Sequence, residues 1–206
     1  MKEKDFFNKK SQVYENDVKR VDNVKNIALG IKKAINLNSN HVFLDFGSGT
    51  GLLTEYISKD IKKIIANDIS KTMNQKLEEK IKEKKFICDV EIVSKNIIFE
   101  EISVEPLDGI ISSMTIHHVK DVKSLMGKFL KMLKAGGIIA LSDLELEDGS
   151  FHTEDTGVYH FGFDKEYFFN LAKSIGFVDL KIETVSVAEK PYGKYPIFLL
   201  TGVKPS

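Results

Sequence analysis

A short apolar strand that runs directly into a glycine-rich turn constrains this chain more than any other feature. The apolar run covers residues 42–44, and the sequence continues as DFGSGTGLLT, with Gly47, Gly49 and Gly51 in the turn. Glycine suits a turn that needs positive φ and a backbone that approaches a ligand closely, because it has no Cβ. Apolar residues at helical spacing follow, so the turn is predicted to open a helix whose first amides face a cofactor.

The glycine spacing narrows the class of cofactor. A dinucleotide fingerprint has its third glycine three positions after the second, but Leu52 stands there, and the Gly-Lys-Ser/Thr ending of a Walker loop is absent from the sequence. The next predicted strand, KKIIAND, ends in Asp68, where a carboxylate can hold a ribose diol. The pattern therefore favours a nucleoside cofactor, and the alternative is a strand-to-helix turn that binds nothing.

The remaining elements alternate in type. Residues 1–40 are predicted to form a helical cap, and Phe6, Phe7 and Tyr14 ahead of its apolar face are either a lid over the cofactor or docking aromatics. Ser70 and Asp164 are predicted N-caps, and Gly176 is expected to stop the helix that Asp164 begins. A helix over residues 119–133 is expected to stop at Gly136-Gly137. Strands are expected at residues 62–67, 90–93, 107–112, 138–141, 177–187 and 197–203, the last two joined through residues 191–196.

Length and composition exclude several classes of protein. With 206 residues, the chain suits one α/β domain with an insertion over residues 145–163. Thirty basic residues balance thirty acidic ones, which argues against a nucleic-acid binder. Residues 143–189 form a locally acidic region. We interpret this region first as a solvated acidic rim and second as a preference for a cationic substrate. The sequence has one cysteine, Cys88, and it lacks both a membrane-length apolar run and a signal-peptide core. These features predict a cytoplasmic protein without a membrane partner.

Four segments of the chain resemble the class I S-adenosylmethionine-dependent methyltransferases, in particular the small bacterial methyltransferases of the type 11/12/25 kind. The segments are LDFGSGTG (44–51), ANDIS (66–70), LDGIISSMTIHHV (107–119) and LKAGGIIALSD (133–143). The resemblance implies an α/β fold, a Rossmann-like three-layer sandwich whose seven-stranded, mostly parallel sheet has an antiparallel last strand. It also implies S-adenosyl-L-methionine as cofactor and S-adenosyl-L-homocysteine as product.

The resemblance assigns cofactor contacts residue by residue to the ends of the predicted strands. The residues are Asp45, Gly47, Ser48, Gly49, Gly51, Asp68, Ile69, Asn96, Ile97, Ser112 and Ser113. The glycine turn and the two serines would meet the methionine portion, Asp68 the ribose hydroxyls and Ile69 the adenine. The family commonly has Asp where this chain has Asn96, whose carbonyl can also accept from the adenine amino group.

The implied reaction needs little acid or base chemistry, because a sulfonium already carries an activated methyl group. The protein must align a nucleophile in line with the departing sulfur, exclude water and, where necessary, take a proton. His117 and His118, just past the fourth strand, are the catalytic candidates because imidazole titrates near neutral pH. Two adjacent residues cannot both point into one pocket, and the alternative for either histidine is capping or packing.

The segment after the fifth strand is the most unusual in composition. ELEDGSFHTEDTGVYHFGFDKEYFF has seven aromatic residues and two histidines within nineteen positions, residues 151–169. We expect this segment to cross the strand ends where methyl acceptors bind, with Tyr14, Phe151, His152, Tyr159 and His160 contacting the acceptor; the alternative is aromatic packing beneath a surface loop. His152, Asp155 and His160 match no zinc spacing, so no metal site is predicted.

Three functional classes stay open at this point. The first is a methyltransferase that acts on a small-molecule acceptor as a monomer or homodimer. The second is an NAD-dependent oxidoreductase, against which Leu52 counts, and the third is a module that binds the cofactor without catalysis. Ser112-Ser113-Met114-Thr115 replaces the Asp/Asn-Pro-Pro-Tyr motif associated with amino methylation of DNA bases and glutamine amides, so those reactions are not expected.

Overall fold

The computed structural model describes residues 14–154 and 156–206, and for Tyr14 it describes the backbone only. The helices are α1 (Val18–Ala34), α2 (Leu52–Ile57), α3 (Lys71–Lys82), α4 (Val122–Met132) and α5 (Lys165–Ile175). The strands are β1 (Val42–Phe46), β2 (Lys63–Asn67), β3 (Asp89–Val93), β4 (Leu107–Ser113), β5 (Leu133–Leu144), β6 (Val178–Lys190) and β7 (Gly193–Val203). Two single 3₁₀ turns lie at Tyr14–Asn16 and Ile116–His118.

The strands form one seven-stranded sheet in the order β3-β2-β1-β4-β5-β7-β6. β1 pairs in parallel with β2 and β4, while β7 runs antiparallel to both β5 and β6. The predicted fold class, a mostly parallel sheet with an antiparallel last strand, is confirmed. Because the parallel strands β1 to β5 all end at one edge, the residues that follow them are brought together there.

Two apolar cores flank the sheet, because successive side chains of a strand point to opposite faces. On β1, Phe43 packs into the core formed with α1 and α2, whereas Leu44 packs into the core formed with α4 and α5. Leu77 of α3 joins the first core. Helices therefore cover both faces of the sheet, as expected for a three-layer sandwich.

Local capping signals predicted several helix ends. The Ser70 hydroxyl accepts from the Met73 amide at 3.3 Å, and the Asp164 carboxylate accepts from the Tyr167 amide at 2.8 Å. Gly176 ends α5 with φ of 116°, in the left-handed region that glycine adopts most easily. These three predictions are confirmed.

The expected helix over residues 119–133 was wrong at both ends. Asp121 accepts from the Ser124 amide and starts α4 three residues later than expected. At the other end Gly136-Gly137 lies inside β5 and does not stop the helix; the Gly136 amide donates to Lys204 O, and the Lys204 amide donates to Gly137 O. Backbone pairing with a distant part of the chain thus extends β5 back to Leu133.

The last hairpin is longer than predicted. β6 and β7 are joined by Pro191 and Tyr192, and Pro196 lies within β7 and not in the connection. Pro196 pairs with Val187 of β6, and its carbonyl accepts from the Glu145 amide at 2.9 Å, one residue past the end of β5. The missing N–H of proline is tolerated there because it lies beyond the last register pair of β7 with β5, Leu144 with Ile197.

Candidate active site

A cleft of about 1980 Å³ opens at the carboxyl ends of β1, β2 and β4. The glycine turn lines one part of it, and the turn after β4 and the insertion line another; the first turns of α1 also contribute. The segments predicted to bind a cofactor and those predicted to meet an acceptor therefore open into one space. This position matches the rule that open parallel sheets bind ligands at their carboxyl edge.

The glycine turn has the backbone that its sequence predicts. Gly47, Gly49 and Gly51 have φ of 70°, 54° and 80°. The amides of Gly47 and Ser48 donate to Asn67 O at 2.8 and 3.1 Å, which ties the end of β1 to the end of β2. On its other side the turn packs closely against the residues after β4, because a Cβ on Gly47 would lie 2.1 Å from the Thr115 side chain.

The turn also has features that fit a nucleoside ligand. A Cβ built on Gly49 meets no described atom within 4 Å, so the turn exposes bare backbone to the cleft. The hydroxyls of Ser48 and Ser113 are buried and have no hydrogen-bond partner among the described residues. Buried polar atoms are ordinarily paired, so both hydroxyls are available to the polar methionine portion of the cofactor.

Asp45 at the end of β1 is a buried carboxyl group, 1% exposed, that also lines the cleft. The Thr54 hydroxyl donates to it at 2.6 Å. Burial raises the pKa of Asp45 to about 7; the Thr54 hydrogen bond works against this shift, and the nearby Asp68 charge adds to it. The group is therefore poised to gain from a positive charge brought into the cleft.

Asp68 connects the two motifs from which the cofactor was predicted. Its carboxylate accepts from the Gly49 amide at 2.9 Å and from the Ser70 amide at 2.8 Å. These bonds fix the carboxylate beside the glycine turn. Asp68 lines the cleft with the turn, at the place expected for a ribose contact.

The predicted adenine contacts lie together at the β2 and β3 ends. Ile69 lines the cleft with 58% of its surface exposed, and Asn96 and Ile97 line it beside the β3 end. Asn96 Oδ1 already accepts from the Ile98 amide at 3.1 Å, so one lone pair of this acceptor is in use. The sequence reasoning missed Phe99, an exposed aromatic residue that lines the same part of the cleft.

The two serines at the end of β4 have different positions. Ser113 lines the cleft, whereas Ser112 is fully buried, and its hydroxyl donates to Phe46 O at 2.8 Å. Ser112 is not among the cleft-lining residues of the described part of the chain. The Ser112 hydroxyl thus links β4 to β1, and the cofactor contact of Ser112 stays a prediction.

His117 forms a buried pair with Asp143, the penultimate residue of β5. Asp143 Oδ1 lies 2.6 Å from His117 Nδ1, and the other oxygen accepts from the His117 amide at 3.1 Å. His117 lines the cleft and is 2% exposed, and its Nε2 atom has no hydrogen-bond partner among the described residues. Burial would raise the pKa of Asp143, but the adjacent His117 and two backbone amides hold it below its usual value.

His118 and His160 hold the insertion against the turn after β4. Burial, followed by the neighbouring His117, lowers the pKa of His118 to about 3, and its ring is hydrogen-bonded to the backbone of Gly157. His160 Nε2 donates to Val119 O at 3.0 Å. The two adjacent histidines thus differ in environment: His117 is paired with a carboxylate, and His118 is a neutral group bonded to the insertion.

The insertion brings the remaining predicted acceptor contacts to the same end of the cleft. Phe151, His152, Tyr159 and His160 all line it, and the His152 ring lies 5.2 Å from the His117 ring. The Tyr14 side chain, Phe6 and Phe7 lie outside the residues that the structure describes. Asp155, considered in the sequence analysis as a metal ligand, also lies outside them. The described residues include no group suited to hold a metal ion.

Asp143 is the main site residue that the sequence reasoning missed. It was recognised only as the end of a strand, and no local motif pairs it with His117, which is 26 residues earlier. The signal that could have identified it is positional: β4 and β5 are parallel neighbours, and both end in polar residues at the ligand edge of the sheet.

Comparisons with known proteins agree with this geometry. The family model described as a methyltransferase domain matches residues 44–141. The chain is similar to an uncharacterized methyltransferase of Schizosaccharomyces pombe, at 26% identity over 151 residues, which cover 64% of this chain and 51% of the relative. The matched segment thus spans about half the length of that relative.

Solved structures with low sequence identity share the fold. A methyltransferase of Haloferax volcanii, solved in complex with the Trm112 methyltransferase activator, matches with a TM-score of 0.78 at 13% identity and covers 98% of this chain and 99% of its own. Phosphoethanolamine N-methyltransferase 2 of Haemonchus contortus, solved with phosphomonomethylethanolamine and S-adenosylhomocysteine, matches with a TM-score of 0.70 at 18% identity, covering 88% of this chain and 53% of its own. The chain thus contains a segment that matches a methyltransferase domain, within a fold that it shares with solved methyltransferase structures.

Proposed function

We propose that this protein transfers the methyl group of S-adenosylmethionine to a small-molecule acceptor by in-line displacement. The observation that carries the proposal is the bond between the Asp68 carboxylate and the Gly49 amide. This bond places a carboxylate suited to bind ribose hydroxyls next to the exposed backbone of the glycine turn, within one cleft. A nucleoside with a polar, charged tail fits such a surface better than an extended dinucleotide does, because the third glycine of the dinucleotide fingerprint is absent.

The proposed cofactor contacts follow the cleft from one strand end to the next. Asp45, Ser48 and Ser113 would hold the methionine portion, since one is a buried acid and the other two have unpaired hydroxyls among the described residues. Asp68 would accept from the ribose hydroxyls, and Ile69 would pack against the adenine. When bound, the cofactor supplies an activated methyl group on a sulfonium.

The protein's own part in the reaction is to position the acceptor and exclude water. The insertion is bonded to the turn after β4, because the Tyr159 and His160 amides both donate to His117 O, at 2.9 and 3.2 Å. Its aromatic residues Phe151, Tyr159 and Phe163 thereby line the same cleft as His117. Holding two reactants in a dry and aligned geometry can supply most of a methyl transfer's rate enhancement.

Calorimetric titration tests the cofactor assignment directly. We expect S-adenosylhomocysteine to bind the full chain and NAD to show no saturable heat. Binding of NAD in preference to S-adenosylhomocysteine would contradict the proposal and support an oxidoreductase, which shares the strand, the turn and the ribose carboxylate.

Turnover separates an enzyme from a module that only binds the cofactor. Incubation of the full chain with S-adenosylmethionine and a panel of metabolites, with S-adenosylhomocysteine release as the readout, should give acceptor-dependent product. Release that no acceptor increases, in a chain that binds the cofactor, would favour the silent module.

A further inference from the structure

A carboxylate–imidazole pair with no part in holding the cofactor lies at the acceptor end of the cleft. Asp143 is fully buried and accepts from three protein donors: His117 Nδ1, the His117 amide and the Leu144 amide. An ionised carboxylate can only accept, so His117 carries its proton on Nδ1. In the neutral ring, Nε2 then carries a lone pair; this atom is buried and has no hydrogen-bond partner among the described residues, on a side chain that lines the cleft.

We infer that His117 Nε2 takes the proton of the methyl acceptor, that Asp143 is the positioning residue which keeps Nε2 in the accepting form, and that the acceptor is methylated on a hydroxyl group of an aromatic ring. The inference rests on the methyl transfer proposed above. It assigns the substrate class of that site and gives Asp143 a role.

Acid strength favours an aromatic hydroxyl over an aliphatic one. A phenol such as that of tyrosine has a pKa of about 10, within about four units of the imidazole value of about 6.5. An aliphatic alcohol is close to water, at about 15.7, which leaves a gap of about nine units. Imidazole can help to deprotonate the first kind of hydroxyl during transfer, and it is poorly matched to the second.

The charges at this end of the cleft have both signs. Lys190, whose ammonium lies 5.3 Å from the centre of the Phe151 ring, lines the cleft together with Glu154 and Glu189. The described charges therefore do not select a charged acceptor, and the choice among acceptors rests on the proton that His117 can take and on the aromatic walls of the cleft.

The walls of this end of the cleft suit a flat ring. Phe151 contacts His152 edge to face, with ring centres 4.8 Å apart, and the His152 ring is tilted by 44° to the His117 ring, with centres 5.2 Å apart. Tyr159, 61% exposed, and Phe163 line the same cleft. Aromatic and imidazole faces at these spacings gain most from a planar partner that can stack or meet them edge-on.

The step balances as a proton transfer coupled to a substitution. The acceptor oxygen loses its proton to His117 Nε2 and forms the new oxygen–carbon bond. The electron pair of the broken carbon–sulfur bond stays on sulfur. The products are the methyl ether, S-adenosylhomocysteine and a His117 imidazolium beside the Asp143 carboxylate. The imidazolium later returns the proton to solvent.

Matched acceptor sets test the substrate class. The full chain is incubated with S-adenosylmethionine and with phenols, the anilines of the same ring, and the cyclohexanols of the same shape; products are identified by mass spectrometry. We expect O-methyl ethers from phenols, with kcat/KM at least about 100-fold above the matched anilines and cyclohexanols. Equal or faster transfer to an amine or a cyclohexanol, or no ether from any phenol, would overturn the inference. Calorimetry with S-adenosylhomocysteine on the same sample shows whether cofactor binding, and with it the proposed function, survives.

Variants test the positioning role of Asp143. We expect Asp143→Asn and His117→Gln each to lower kcat by about 100-fold with little change in the acceptor KM, and the double variant to lose no more than either one. His41→Gln and Asp89→Asn are matched controls, because neither residue lines the cleft, and both should keep wild-type kinetics. A kcat unchanged in Asp143→Asn would overturn the positioning role.

Nitrogen NMR measures which ring nitrogen of His117 carries the proton, and it needs no methyl acceptor. In the wild-type protein at about pH 8, the His117 ring should carry its proton on Nδ1 and leave Nε2 bare. The Asp143→Asn variant should lose this preference, even where its activity is too low to measure. A wild-type ring with its proton on Nε2 would overturn the inference.

Discussion

At the scale of single residues, the site contains two buried acids whose pKa values are shifted in opposite directions by their surroundings. Asp143 is paired and stays ionised, whereas Asp45 has a pKa raised to about 7 by burial. Because the pKa of Asp45 in the folded protein exceeds its ordinary value, the native state keeps a proton that the unfolded chain has lost between about pH 4 and 7. The contribution of Asp45 to stability therefore decreases as the pH rises through that window.

Replacement of Asp45 should separate stability from cofactor binding. Asp45→Asn is expected to raise the free energy of unfolding by about 1–3 kcal/mol at about pH 8, where the wild-type carboxylate is charged, and to change it little near pH 4. The same variant should bind S-adenosylhomocysteine more weakly, since it cannot offer a charge to the homocysteine ammonium. Urea unfolding at both pH values and calorimetry measure the two effects; a loss of stability at the higher pH would contradict this account of Asp45.

Cofactor binding should also depend on pH through Asp45. A cation bound beside it lowers its pKa, so binding at about pH 6 should release a fraction of a proton, and affinity should rise as the pH increases to about 8. Calorimetry of S-adenosylhomocysteine in buffers with different ionisation enthalpies gives the number of protons released. Proton uptake in this range would show that Asp45 does not face the cofactor's charge.

Asp68 tests the ribose contact. Asp68→Ala should weaken S-adenosylhomocysteine binding by about 1–3 kcal/mol, because the ribose loses charge-assisted hydrogen bonds and the Gly49 amide loses its acceptor. Asp89→Ala, at an exposed carboxylate on β3 that lies outside the cleft, is the control and should bind normally. Unchanged affinity in Asp68→Ala would remove this residue from the ribose site.

At the scale of elements, the glycine turn separates packing from ligand access. Gly47→Ala meets the Thr115 side chain, whereas Gly49→Ala meets no described atom and bears only the strain of its φ of 54°. We expect Gly49→Ala to cost about 1–2 kcal/mol of stability and to abolish measurable cofactor binding, and Gly47→Ala to cost more stability.

Gly127 in α4 provides the control for this pair of changes. It has an ordinary helical backbone and open space at its Cβ position. Gly127→Ala should therefore stabilise the protein by about 0.5–1 kcal/mol without affecting binding. Thermal unfolding and calorimetry check all three variants, and normal cofactor affinity in Gly49→Ala would contradict the assignment of the turn.

The bonds between the insertion and the turn after β4 can be tested by hydrogen exchange. His160→Ala removes the bond to Val119 O and the ring contact with Phe163. The Tyr159 and His160 amides should then exchange at least about 10-fold faster, a change equivalent to about 1.4 kcal/mol of local opening. Leu146→Ala, at a residue that is 68% exposed, is the control within the same insertion and should leave their protection unchanged.

The elements differ in how far the sequence could predict them. Ser70, Asp164 and Gly176 were identified correctly because each acts within its own turn. The start of β5 and the position of Pro196 were missed, since both depend on strand partners far away in the chain. The same reasoning applies to the site.

Within the site, the glycine turn is local in sequence and was found from its spacing. The bond between Asp143 and His117 was not, because it exists only when β4 and β5 lie side by side. Burial is a second property that spacing cannot give: Ser112 and Ser113 are adjacent and both polar, but only Ser113 lines the cleft.

At the scale of the whole molecule, the sheet order explains why one cleft can serve two ligands. β1, β2 and β3 end around the glycine turn and Asp68, while β4 and β5 end around His117 and Asp143. The insertion is hydrogen-bonded to the second group at the His117 carbonyl. A cofactor held by the first set of strand ends and an acceptor held by the second would meet near the junction of β1 and β4. None of the helices in the described part of the chain could span a bilayer.

The most direct test of this account is a crystal structure of the full chain with S-adenosylhomocysteine. The account predicts the nucleoside in the cleft, with its ribose hydroxyls on the Asp68 carboxylate, its homocysteine portion against Gly49 and Ser113, and its sulfur facing the end of the cleft that His117 lines. A nucleoside bound anywhere else on the protein, or a glycine turn closed off by side chains in the complex, would contradict it.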